Sequence, residues 1–82
     1  MKIWTVTLIE QEIMDGEIDT AGYRKRWFTD EDEARTWFAK RIKMCGLRHK
    51  YLRDGSWFEA YEGTSSELYV LESVDLVLQQ NA

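Results

Sequence analysis

Apolar and polar positions change period twice along the chain. Lys2 to about Met14 (KIWTVTLIEQEIM) is rich in β-branched and aromatic residues, with Trp4, Val6 and Leu8 on one side and Ile3, Thr5, Thr7 and Ile9 on the other. Neither side is clearly polar, which predicts a first strand partly covered on both faces. Asp15-Gly16 marks a turn. The stretch to Gly22 is polar and reads either as irregular or as a poorly paired continuation of the hairpin. Tyr23 to Phe28 (YRKRWF) reads as a second strand, antiparallel to the first.

The period then becomes helical. From Asp30 to about Cys45 (DEDEARTWFAKRIKMC), Ala34, Trp37, Phe38, Ile42 and Cys45 share one face. Asp30 is placed as N-cap, with Glu33 three residues on as in a capping box. Glu31, Asp32 and Glu33 suit the positive end of the helix dipole, and Lys40, Arg41 and Lys43 suit its negative end. Glu31 and Arg35 stand i, i+4 in the favourable order. Gly46 is expected to supply the C′ stop. Arg41 is the one residue that breaks the apolar stripe.

Alternation returns after the helix. Leu47 to Leu52 reads as a short third strand or as more loop. Asp54-Gly55 signals a hairpin to a strand at Trp57 to Glu62. Gly63 to Ser66 reads as a turn, and Leu68 to about Leu78 as the last strand, apolar at even positions except Glu72. The tail from Gln79 is expected to fray. The predicted class is α+β, an antiparallel sheet of four to five strands with one helix packed on one face, in the order β-β-α-β-β-β.

Totals add bounds to this picture. Eighty-two residues make one domain, 1–82, whose small core leans on 4 Trp, 4 Tyr and 3 Phe. One cysteine allows no internal disulfide and fits a reducing, cytoplasmic setting. No apolar run approaches the roughly 18 residues of a membrane helix, and no signal-peptide pattern opens the chain, so no membrane role is expected. The net charge of −4 is unevenly spread: residues 35–53 carry seven Lys and Arg and no acid, which leaves −11 for the rest. Such asymmetry either marks a partner site or is neutralised across the fold.

Candidate functional residues follow from three observations. Trp-Phe occurs at Trp27-Phe28, Trp37-Phe38 and Trp57-Phe58. Strand neighbours point to opposite faces, so each strand pair sends one ring inward and one outward. With one helix for cover, the other sheet face is expected to show aromatic surface, as a protein partner or homodimer site does. Arg41 and Glu72 both stand at apolar positions, and a partly buried ion pair between them accounts for both. The alternative is that Arg41 snorkels to the helix edge and a bulge near Ser73 turns Glu72 outward. Arg48, His49, Lys50, Tyr51 and Arg53, with Arg24, Lys25 and Arg26 on a neighbouring strand, mix bases and rings as nucleic-acid sites do, against the overall acidity.

Catalytic chemistry finds little support. Cys45 and His49 are four apart, but the helix is expected to end between them. One Cys and one His do not make a structural zinc site, and no metal or cofactor is expected. Glu59, Glu62, Glu72 and Asp75 have no spacing that demands paired acid–base work. There is no phosphate loop, GxGxxG or GxSxG.

The acidic residues Glu10, Glu12, Asp15, Glu17 and Asp19 and the Asp30–Glu33 run offer a negative surface to a basic groove. In size, acidity and element order the chain resembles the small phage-encoded proteins that inhibit bacterial defence systems, anti-CRISPR proteins among them. That resemblance implies binding to a host nuclease or nucleoprotein complex, in some cases as a dimer, inside the host cytoplasm. No motif matches, so it assigns no residue a role. The expectation is a non-enzymatic interaction module that uses Trp27, Phe28, Trp57, Phe58, Glu31, Asp32, Arg48 and Lys50. A nucleic-acid-binding or regulatory domain using the basic segment 35–53 is the alternative.

Overall fold

A computed structural model describes residues 1–75. The order is β1 (Lys2–Met14), β2 (Glu17–Phe28), α1 (Glu31–Met44), β3 (His49–Arg53), β4 (Trp57–Glu62) and β5 (Ser65–Asp75). The strands form one antiparallel sheet, β2-β1-β5-β4-β3, so the fold is α+β in the expected order. The expectations for Leu76 to Leu78 and for the tail lie outside the described residues.

Turn chemistry sets the hairpins. Asp15 (φ 52°) and Gly16 (φ 79°) both take the left-handed region, as a two-residue primed turn requires. β2 therefore pairs with β1 from end to end, from Met14↔Glu17 to Trp4↔Phe28. The polar stretch before Gly22 is paired strand. It is disguised by a bulge: Gly22 faces Glu10 and Thr20 faces Gln11, so Ala21 is the extra residue. Ser65 and Ser66, expected in a turn, pair with Glu62 and Tyr61 instead, because Gly63-Thr64 suffices to reverse the chain.

α1 starts as expected. The Asp30 carboxylate accepts the Glu33 backbone N–H at 3.3 Å, and Arg35 Nε donates to Glu31 at 2.8 Å. Its end differs from the expectation. Cys45, not Gly46, leaves the helix, in extended conformation (φ −64°, ψ 122°), and Gly46 is not left-handed. Cys45 is held in the core and bonded to Glu67, which draws the backbone away from the axis. The helix joins β2 at one sheet edge to β3 at the other. Fourteen residues give a rod of about 21 Å, against about 19 Å across five strands.

Directly paired residues share a face, so the register divides the sheet into two. The inner face holds Val6 and Leu8 of β1, Phe28 of β2, Tyr69 and Leu71 of β5, and Phe58 and Ala60 of β4. These form one buried cluster with Ala34, Phe38 and Cys45, and Trp4, Trp37, Ile42 and Leu47 pack against it. On β5 the inward residues are the odd ones, because Leu8 pairs with Tyr69 and Val6 with Leu71. The even apolar set, Leu68, Val70 and Val74 with Glu72, belongs to the outer face.

Candidate functional site

The outer face is built in rows that the register dictates. Trp27, Thr5 and Glu72 form one row. The next carries Lys25, Thr7, Val70, Trp57 and Arg53, and the next Tyr23, Ile9, Leu68, Glu59 and Tyr51. Gln11, Ser66, Tyr61 and His49 follow, and Ile13 and Ile18 close the far end. The bulge keeps Ile18 opposite Ile13; uninterrupted alternation through Ala21 would have turned it inward.

The middle is apolar and half-buried, and the rim is aromatic. Trp27 is 57% exposed, with Lys25 Nζ 5.3 Å from its ring centroid. Trp57 is half-buried, and its indole N–H donates to Glu59 at 2.6 Å. Tyr61 stacks on His49 at 4.9 Å and on Tyr51 at 5.9 Å, a ladder of three exposed rings. The Tyr51 and Tyr61 hydroxyls lie 3.4 Å apart, and that contact with Tyr51 pushes the Tyr61 pKa upward. At the Trp27 end, Ile3 and Thr5 are buried, and among the described residues Thr5 Oγ1 has no hydrogen-bond partner. Among the described residues, four charged ones stand on this face and cancel: Lys25 and Arg53 against Glu59 and Glu72.

The expected site residues separate into different places. Trp27 and Trp57 point outward. Phe28 and Phe58, expected at the partner surface, are buried in the core cluster at 9% and 1% exposure. Their register partners Trp4 and Tyr69 face inward, so neither ring reaches a partner. Glu31 and Asp32 stay at the start of α1, with Glu31 engaged by Arg35. Arg48 is exposed in the link before β3, and Lys50 pairs with Ala60 on the inner side.

The Arg41–Glu72 pair does not form. Glu72 is exposed opposite Thr5 on the outer face, placed there by unbroken register rather than by a bulge at Ser73. The Arg41 guanidinium lies 5.6 Å from the Trp37 ring centroid. The basic strands are not neighbours either: β2 and β3 are the two opposite edges of the sheet.

Sequence reasoning missed Tyr23, Leu68, Val70, Tyr51 and Tyr61 as one surface. The available signal was the even period of β5 set against the odd period of β1. Cys45 and His49 lie apart, one in the core and the other on the outer face. Cys45 Sγ donates to Glu67 at 3.0 Å and the Tyr69 hydroxyl donates to the same carboxylate at 3.2 Å. Burial, then the Glu67 hydrogen bond, pushes the thiol pKa up, the reverse of what a nucleophile needs. Among the described residues, no group of three potential metal ligands converges and no helix is long and apolar enough to cross a membrane. No family model matches this sequence, and no curated protein or solved structure matches it.

Proposed function

We propose that this chain is a non-enzymatic protein-interaction module whose working surface is the outer face of the sheet. One observation carries the reading: the face combines apolar centre, aromatic rim and few, self-cancelling charges. Interface cores are depleted in charge and enriched in aromatic residues in this way. In this reading α1 is the cover of the inner face, and what remains for a partner is the outer face beyond the buried Ile3 and Thr5, from the Lys25–Val70–Trp57 row to Ile13. The overall extents of 53 × 27 × 18 Å leave room for a standard interface of about 800 Å² per partner.

The specific form we propose is the one that the resemblance implies. The module is a small phage-type inhibitor that docks on a host nuclease or nucleoprotein complex in the cytoplasm. A nucleic-acid reading is weaker, because the basic residues divide between the two sheet edges. Glu59 and Glu72 stand among the two cations on the face itself, where a phosphate backbone would meet them.

The test is affinity capture from a bacterial lysate with the wild-type chain and with Val70→Arg, which places a charge at the centre of the face. Circular dichroism checks that the variant is folded, and mass measurement reports whether the chain pairs with itself. A nuclease-complex subunit retained by the wild type and lost with Val70→Arg upholds the reading. Equal retention by both, or capture of oligonucleotides and no protein, refutes it.

A further inference from the structure

Away from the outer face, three arginines gather where β2 meets α1. Arg24 and Arg26 lie on the inner side of β2, opposite Leu8 and Val6. The Arg26 guanidinium is 5.3 Å from the Trp37 ring centroid and 5.2 Å from that of Phe28, while Arg41 is 5.6 Å from Trp37. A guanidinium stacked on a ring uses its flat face and leaves its in-plane N–H donors free. Among the described residues, those of Arg26 and Arg41 meet no acceptor of the protein. Among the described residues the one ion pair is Glu31–Arg35, and Arg41 Nε is buried with no hydrogen-bond partner. A buried donor left unmatched is costly, but this one is closed off from solvent, so it reports on the guanidinium's setting, and an anion would meet the part of Arg41 that lines the hollow.

Beside them is a hollow of about 190 Å³ walled by Leu8, Glu10, Gly22, Tyr23, Arg24 and Arg41. We infer that this hollow is an oxyanion site that takes the phosphoryl group of a small phosphate ester or of inorganic phosphate. Arg24 approaches from a strand and Arg41 from a helix. Donors from two walls suit the tetrahedral spread of phosphoryl oxygens better than a flat carboxylate, which one guanidinium fork satisfies. Gly22 keeps the wall clear, since a Cβ there would stand 3.2 Å from Glu10 Oε2. Glu10 is the opposing group. It accepts rather than donates, so it favours an ester that carries a hydroxyl or amino donor beside its phosphoryl group. The site lies on the opposite side of the sheet from the outer face and stands without the protein-interaction reading.

The test is an NMR titration of the ¹⁵N-labelled chain at low ionic strength, following the Arg41 Nε–H signal. The titrants are inorganic phosphate, a nucleoside monophosphate, and chloride at matched ionic strength. Saturable movement with either phosphate and none with chloride is the expected result. The tighter of the two phosphates then tells ester from free anion. Arg24→Gln, an exposed edge change that leaves the core intact, should weaken binding roughly 10-fold or more, the loss of a charge-assisted hydrogen bond. Arg41→Lys should weaken it as well, and Glu10→Gln should tighten inorganic phosphate. No saturable movement with either phosphate, the same movement with chloride, or unchanged affinity in Arg24→Gln overturns the assignment.

Discussion

Trp27 and Phe28 are sequence neighbours with opposite fates, and truncating each in turn tests the register that defines both faces. Phe28 is 9% exposed and its ring lies 5.8 Å from that of Trp37. With about 200 Å² of aromatic side chain and about 25 cal/mol per Å², its burial is worth at most about 4.5 kcal/mol. Phe28→Ala keeps a little of that and leaves a cavity, so the expected loss is about 3 to 4 kcal/mol. Trp27 is 57% exposed. About 100 Å² of its larger surface is covered, an upper bound near 2.5 kcal/mol, of which alanine retains part. With the Lys25 contact included, Trp27→Ala should cost about 1 to 1.5 kcal/mol. The larger ring is thus the cheaper one to remove. A domain of this length holds about 4 to 12 kcal/mol in total, so Phe28→Ala takes a large share of it. Urea denaturation followed by far-ultraviolet circular dichroism measures both, read as midpoint shifts at constant m-value. If Trp27→Ala costs as much as Phe28→Ala, the assignment of faces is wrong.

Further expectations concern other parts of the molecule. Glu72→Gln should change stability by less than about 0.5 kcal/mol in the same urea assay; a loss of about 3 kcal/mol or more would mean that Glu72 belongs to a buried pair. Asp30→Ala removes the N-cap acceptor and should cost about 0.5 to 1 kcal/mol, measured as a thermal midpoint lower by a few degrees. Burial raises the pKa of Cys45 above its ordinary 9.0 and that of Tyr69 above its ordinary 10.0. A raised folded-state pKa gives stability that is complete below the unfolded-state value and is lost as pH climbs toward the folded one. The urea midpoint should therefore fall from about pH 9 upward, and Tyr69→Phe should flatten the decline. A wild-type midpoint that stays level to about pH 11 contradicts the burial of both groups. Thiol labelling of Cys45 near neutral pH should be slow in the folded chain and fast in urea.

Local patterns in the sequence reveal the elements well and their arrangement poorly. The capping carboxylate of Asp30, the i, i+4 pair and the Asp-Gly turns act within a few residues, so α1 and the hairpins were legible. Which side of β5 faces the core was not. Leu68 and Val70 on one side and Tyr69 and Leu71 on the other are both apolar, and only pairing with β1 decides between them. Strand order is a tertiary fact as well. Nothing in the residues of β2 or β3 says that they end as opposite edges, so two basic segments that look like one surface are separated by the sheet. The two Trp-Phe pairs on strands showed that one ring of each goes outward. They did not show which, and the tryptophans did so because Phe28 and Phe58 fill the cluster against Trp37 and Tyr69.

Ala21 works like a comma in β2. On either side of it the strand is spelled in opposite phase, with odd residues outward from Tyr23 to Trp27 and even ones outward at Ile18 and Thr20. The bulge lets two half-strands of different parity serve one surface. Deleting Ala21 would leave every cross-strand partner of β1 in place while straightening the hairpin. Its omission would be a change of shape without a change of surface, whereas the loss of any single residue from Glu17 to Thr20 would move the side chains between that residue and the Asp15-Gly16 turn one step along the ladder unless Ala21 itself took up the missing place.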